Sequence, residues 1–106
     1  MINWRRTHPM APGRQADALA FVKKVAHLFE NVTGIKMPVQ VVTTGTLGVM
    51  CMSADFESMG AREAAFAKFW ANPEATALGA QYEQELRDGT APFVPNTAHE
   101  ETWRYS

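Results

Sequence analysis

Arg5 stands in the middle of a short run, Ile2–His8, with Asn3 and Thr7 two positions to either side. Positions two apart share a face of an extended strand, so one face would present an amide, a guanidinium and a hydroxyl together. If that face meets helices, Arg5 is an enclosed cation and needs an anionic partner. The partner is either a ligand carboxylate or enolate, or Glu101 near the C-terminus as a structural pair. The sequence does not decide which face is enclosed. Trp70 and Tyr82 flank an Asn72-Pro73 break, so they can turn towards one space without lying on a single straight helix. Packing against Phe66 at helical spacing is the simpler role for Trp70. The functional role is to wall a pocket for a flat apolar ligand, with Tyr82 offering its hydroxyl. His99 opens the last segment and can approach a pocket mouth, although exposure is its simpler fate. Asn3, Arg5, Thr7, Trp70, Tyr82 and His99 are therefore the candidate pocket residues, and no catalytic residue is assigned.

Other reactive side chains point elsewhere. His8, His27 and His99 show no pairwise metal-ligand spacing, so no metal site is expected. His8 precedes Pro9 and reads as a turn residue before it reads as a base. The single cysteine, Cys51, lies between Met50 and Met52 and reads as a small hydrophobe inside a strand. There is no Ser/His/Asp spacing, phosphate-cradling glycine loop or dinucleotide fingerprint, and no cofactor is expected. With 106 residues, 46% hydrophobic and 20% charged, the chain reads as one domain over residues 1–106. A net charge of −1 with scattered basic residues leaves no footprint for nucleic acid or an anionic membrane. The N-terminal segment lacks the apolar run of an export signal, and no stretch is long enough to span a bilayer. A cytoplasmic location is the expectation.

The elements that must position these residues follow from periodicity. Ile2–His8 predicts a first strand, ended by Pro9, Pro12 and Gly13. Ala18, Val22, Val25, Phe29 and Val32 form one apolar stripe, predicting a helix over 14–33 closed by Gly34. Pro38–Phe56 predicts a hairpin turning at Thr44-Gly45-Thr46. In its second strand Leu47, Val49 and Cys51 face one way, and Met50, Met52, Ala54 and Phe56 the other. Both faces read as apolar, so the second is expected to meet another subunit. A helix is predicted over 61–71, capped by Ser58, with Ala65, Phe66, Phe69 and Trp70 inward. Asn72-Pro73 then starts another that stops at Asp88-Gly89. After a loop over 90–98, the tail 99–106 predicts a last strand. The order gives an α+β ferredoxin-like βαββαβ sandwich on a four-stranded antiparallel sheet.

That order, with Arg5 on the first strand, Pro12-Gly13 before the first helix, the two-faced strand Leu47–Phe56 and the FESMGAREAAFAKFWANPE stretch at 56–74, resembles the dimeric α/β-barrel superfamily. The likeness is to its NIPSNAP-like and antibiotic-biosynthesis-monooxygenase-like members, and it covers nearly the whole chain as a pattern. It implies two sheets packed face to face in a homodimer, each protomer keeping a pocket between sheet and helices. Haem-degrading members use an asparagine, a tryptophan and an iron-ligating histidine. By the resemblance those slots fall on Thr7, on Phe69 or Trp70, and near Gly79 or Ala80. No histidine occurs between Leu28 and Ala98, so the iron ligand is missing and haem degradation is disfavoured.

Two function classes remain. One is a homodimeric binder of a small aromatic or polyketide-like molecule, or a cofactor-independent oxygenase-like enzyme, using an apolar pocket. The other is a non-catalytic dimeric structural or interaction module in which the same residues only pack. A void of about 300 Å3 or more lined by Trp70, Tyr82 and Arg5 would favour the first, and a filled core the second.

Overall fold

A computed structural model of the chain describes residues 1–45 and 47–106. The elements are β1 (Ile2–Pro9), α1 (Gln15–Thr33), β2 (Val39–Val41), β3 (Val49–Phe56), α2 (Met59–Trp70), α3 (Pro73–Asp88) and β4 (His99–Arg104). The four strands form one antiparallel sheet in the order β2-β3-β1-β4. The three helices cover one side of it, giving the ferredoxin-like βαββαβ arrangement with its second helical unit split in two. Among the described residues, no helix is long and apolar enough to cross a membrane.

Each helix is placed by its stripe and its ends. α1 buries Ala18, Val22, Ala26 and Phe29, one apolar line at helical spacing. Gly34, at φ 77°, closes it by donating its N–H to the Glu30 carbonyl at 2.7 Å. The Ser58 hydroxyl caps α2 by accepting the Ala61 N–H. The Asn72 carboxamide caps α3 by accepting from Glu74 and Ala75, with Pro73 in the first turn. The Thr76 hydroxyl donates back to the Trp70 carbonyl at 3.0 Å, which ties the end of α2 to the start of α3.

The hairpin is shorter than its sequence predicts. β2 has only three residues, and β3 begins at Val49, so Leu47 lies outside the strand and is 69% exposed. Thr46, one of the three expected turn residues, lies outside the described residues. The inner face of the sheet carries Ile2, Trp4, Met50, Met52, Ala54 and Phe56, all buried with Phe29 and Phe69 in one core.

The outer face is not the apolar surface expected. It begins with Val49 and Cys51 but continues into Ser53 and Asp55, beside Asn3, Arg5 and Thr7 on β1 and Glu101 on β4. These groups satisfy one another. Asn3 donates to Asp55 at 2.9 Å, Arg5 Nε to Asn3 at 2.7 Å and the Tyr105 hydroxyl to Asp55 at 2.8 Å. The two bonds to Asp55 hold its carboxyl below the usual range. The alternation therefore switches from apolar to polar half-way along β3, where β1 supplies polar neighbours.

Candidate ligand-binding cavity

A cavity of about 420 Å3 opens between the inner face of the sheet and the three helices. That volume lies in the range of small-molecule sites. Three successive inward positions of β1, Trp4, Arg6 and His8, run along its floor, spaced roughly 6–7 Å apart by the pleat. Met50 and Met52 of β3 lie beside them. α1 contributes Phe21, Val25 and Phe29, α2 contributes Phe66, Phe69 and Trp70, and α3 contributes Leu78, Gly79 and Tyr82. The loop before β4 adds Phe93. Eight of the twenty lining residues are phenylalanine, tyrosine or tryptophan, and most of their rings pack edge-to-face or tilted, as in Trp4 on Phe66 at 5.0 Å and Phe29 on Phe69 at 5.2 Å.

Polar groups enter at two places. At one end His8 is only 3% exposed, stacked on Phe93 at 4.5 Å and edge-on to Tyr82 at 6.3 Å. Its Nε2 lies 3.2 Å from the Val94 carbonyl oxygen. A carbonyl can only accept, so Nε2 carries the proton and Nδ1 of the neutral ring keeps a lone pair. Burial lowers the His8 pKa below its ordinary 6.5; the Val94 carbonyl opposes this, and the Arg6 charge adds to it. His8 is thus a neutral imidazole with basic capacity in an aromatic-rich enclosure. Burial also raises the pKa of Tyr82, which keeps its hydroxyl a donor.

At the other place Arg6, Arg62 and Glu100 meet. Arg6 Nη1 donates to Glu100 at 2.7 Å, while Arg62 Nη2 stands 3.9 Å from the other oxygen of the same carboxylate. The Arg62 guanidinium also lies over the Phe66 ring, 5.0 Å from its centre. Two cations share one anion.

Trp70 lines the cavity but is 53% exposed, forming part of its rim. Gly79 makes room for it. A Cβ there would come within 3.3 Å of Trp70 Cζ3, so the indole packs closely against α3 at this position.

No protein-family model matches the chain, and no curated protein matches it by sequence. Solved structures do. A NIPSNAP family protein from Agrobacterium tumefaciens superposes with a TM-score of 0.78 at 12% identity, covering 99% of this chain and 85% of that one. An uncharacterized NIPSNAP domain protein from Burkholderia xenovorans gives 0.75 at 13%, covering 100% and 95%. An antibiotic biosynthesis monooxygenase gives 0.67 at 8%, covering 100% and 99%. The chain has the NIPSNAP and monooxygenase-like fold. At these identities the likeness establishes the fold and carries no activity with it.

Within this NIPSNAP-like fold the six residues singled out from sequence separate. Trp70 and Tyr82 line the cavity. Asn3, Arg5 and Thr7 lie on the opposite face of the sheet, because Trp4 is driven inward and takes the even-numbered positions with it. Arg5 stands opposite Glu101 in the register, yet no ion pair joins them among the described residues. Glu101 instead accepts from His99 at 2.7 Å and Trp103 at 2.8 Å, bonds that lower its pKa. His99 is thereby held on the outer face as well. Of the positions matched by resemblance to haem-degrading relatives, Thr7 faces away from the cavity and Gly79 packs against the Trp70 ring. Neither can offer a haem ligand inside it.

Sequence reasoning missed Arg6, His8, Arg62 and Glu100. The signal for the first two was present: they share the strand face of Trp4, the largest apolar residue in the run. Arg62 and Glu100 carried no comparable signal, since an arginine early in a helix and a glutamate near a strand start are ordinarily solvated.

Proposed function

We propose that this protein is a homodimeric small-molecule-binding protein whose cavity takes a planar aromatic or polyketide-like molecule, with His8 placed to act as a general base in the manner of a cofactor-independent oxygenase. One observation carries the reading. A neutral, buried His8, its Nε2–H committed to the Val94 carbonyl, shares an aromatic-walled cavity of about 420 Å3 with the Tyr82 hydroxyl. A packed structural core would not keep that volume beside an imidazole. Nδ1 would take a proton from an acidic C–H or O–H of the bound molecule, and Tyr82 would donate to the oxygen on which charge develops. At neutral pH the ring stands in its neutral, proton-accepting form, since burial lowers its pKa below the ordinary 6.5.

Anthrone, a flat tricyclic ketone with an acidic methylene, is a suitable probe. In D2O the protein should accelerate exchange of the methylene hydrogens, and His8→Gln should abolish the acceleration while leaving binding within a few-fold. Binding without exchange would reduce the protein to a carrier. An absence of binding would leave the alternative, a non-catalytic dimeric module. The outer face of the sheet, uncovered in the protomer and carrying more than half-exposed Trp103 and Tyr105, supports pairing with a second copy.

A further inference from the structure

We infer that the cavity selects planar aromatic anions, and that Glu100 is an internal competitor occupying the anion seat when no such molecule is bound. The inference rests on the cavity being a ligand site and adds the charge of what enters. Arg62 is the decisive residue. Its side chain is only 23% exposed, its Nε is buried without an acceptor among the described residues, and its one carboxylate contact is long, at 3.9 Å. An arginine this enclosed is ordinarily matched by a close, often bidentate carboxylate, because burying the charge is costly. Here the matching carboxylate is committed to Arg6 at 2.7 Å, so two guanidinium groups and one carboxylate leave the cavity mouth with an excess positive charge.

Glu100 is suited to yield. It sits on the edge strand β4, pairs only with β1, and is the most exposed of the three at 44%. An incoming carboxylate or enolate that displaced it would gain both arginines, while Glu100 would regain water. The aromatic body of the ligand would then lie among the aromatic side chains of the cavity wall. A neutral molecule of the same shape gains the aromatic contacts but nothing from the arginines.

The test compares 2-naphthoate with its neutral isostere 2-naphthamide by isothermal titration calorimetry at low salt. The wild-type protein should bind naphthoate about 10-fold more tightly, as expected for charge-assisted hydrogen bonds made in an enclosed site. Glu100→Gln, at an exposed position that leaves the fold intact, should tighten naphthoate several-fold further and leave naphthamide unchanged. Arg62→Met should remove the preference for the anion while retaining naphthamide. Arg62→Lys, which keeps the charge without the fork, should restore part of the preference. Equal binding of the two ligands with no effect of Glu100→Gln overturns the anion selection but leaves the cavity a ligand site. If neither ligand binds, the cavity reading fails, and the selection fails with it.

Discussion

His8 and Gly79 show how single positions set the character of the cavity. Burial holds the folded-state pKa of His8 below the ordinary 6.5, so the unfolded chain binds this proton more readily than the folded one. Stability linked to His8 is therefore fully present above about pH 6.5 and is lost as pH falls from there towards the lowered folded value. A series of thermal midpoints between pH 7.5 and 5 should decline in the wild type and decline less in His8→Gln. Parallel curves would show that His8 stays solvated enough to titrate normally. At Gly79 two effects oppose each other. Alanine is favoured over glycine in a helix interior by roughly 0.8–1 kcal/mol. Its Cβ, however, would press on Trp70 at 3.3 Å. Because Trp70 is more than half exposed, it can swing outward at little cost, and propensity should win. Gly79→Ala is thus expected to raise the melting temperature slightly, shift the Trp70 fluorescence to the red and weaken any flat ligand resting on the indole. A lowered melting temperature would mean that Trp70 is held in place.

At the scale of elements, the junction of α2 and α3 fixes Trp70 relative to Tyr82. Asn72→Ala removes the acceptor for the Glu74 and Ala75 N–H groups and should destabilise the fold by about 0.5–2 kcal/mol. An unchanged denaturant midpoint would mean that another group takes over the cap. This junction was legible in the sequence because an asparagine–proline pair has a specific mechanical meaning. So were α1, through its apolar stripe and closing glycine, and the strand–helix order that defines the fold. The cavity was only half legible. Trp70 and Tyr82 could be placed by the break between them, but Arg5 was chosen for its charge, and the choice of strand face turned on Trp4. Alternation shows that two faces exist and leaves their direction to the bulkiest apolar side chain. The hairpin was overextended for a similar reason: Leu47 and Val42 have strand-like side chains, and local propensity does not show where partner backbone runs out.

The whole molecule raises the question of what covers the outer face of the sheet. Four strands about 4.8 Å apart, of eight, three, eight and six residues, give a planar face of roughly 400 Å2, well short of the ~800 Å2 per partner of a standard interface. Its centre is also polar and internally hydrogen-bonded through Asn3, Arg5 and Asp55. A homodimer built on this face therefore needs apolar contributions from its margins. The exposed apolar side chains there are Leu47 at the hairpin, 69% exposed, and Trp103 and Tyr105 on the last strand and tail. Full burial of a leucine side chain contributes about 1.5–3 kcal/mol, or roughly 10- to 100-fold in a dimer dissociation constant. Sedimentation equilibrium should accordingly find a dimer at micromolar concentration, weakened by at least 10-fold in Leu47→Asp, with the helical circular dichroism unchanged. Arg5→Ala should have a much smaller effect, because its guanidinium already has a partner within the protomer. A wild-type monomer at micromolar concentration would remove the dimer altogether. A dimer indifferent to Leu47→Asp would mean that the hairpin lies outside the contact and that the polar centre of the sheet face, with Trp103, carries the association.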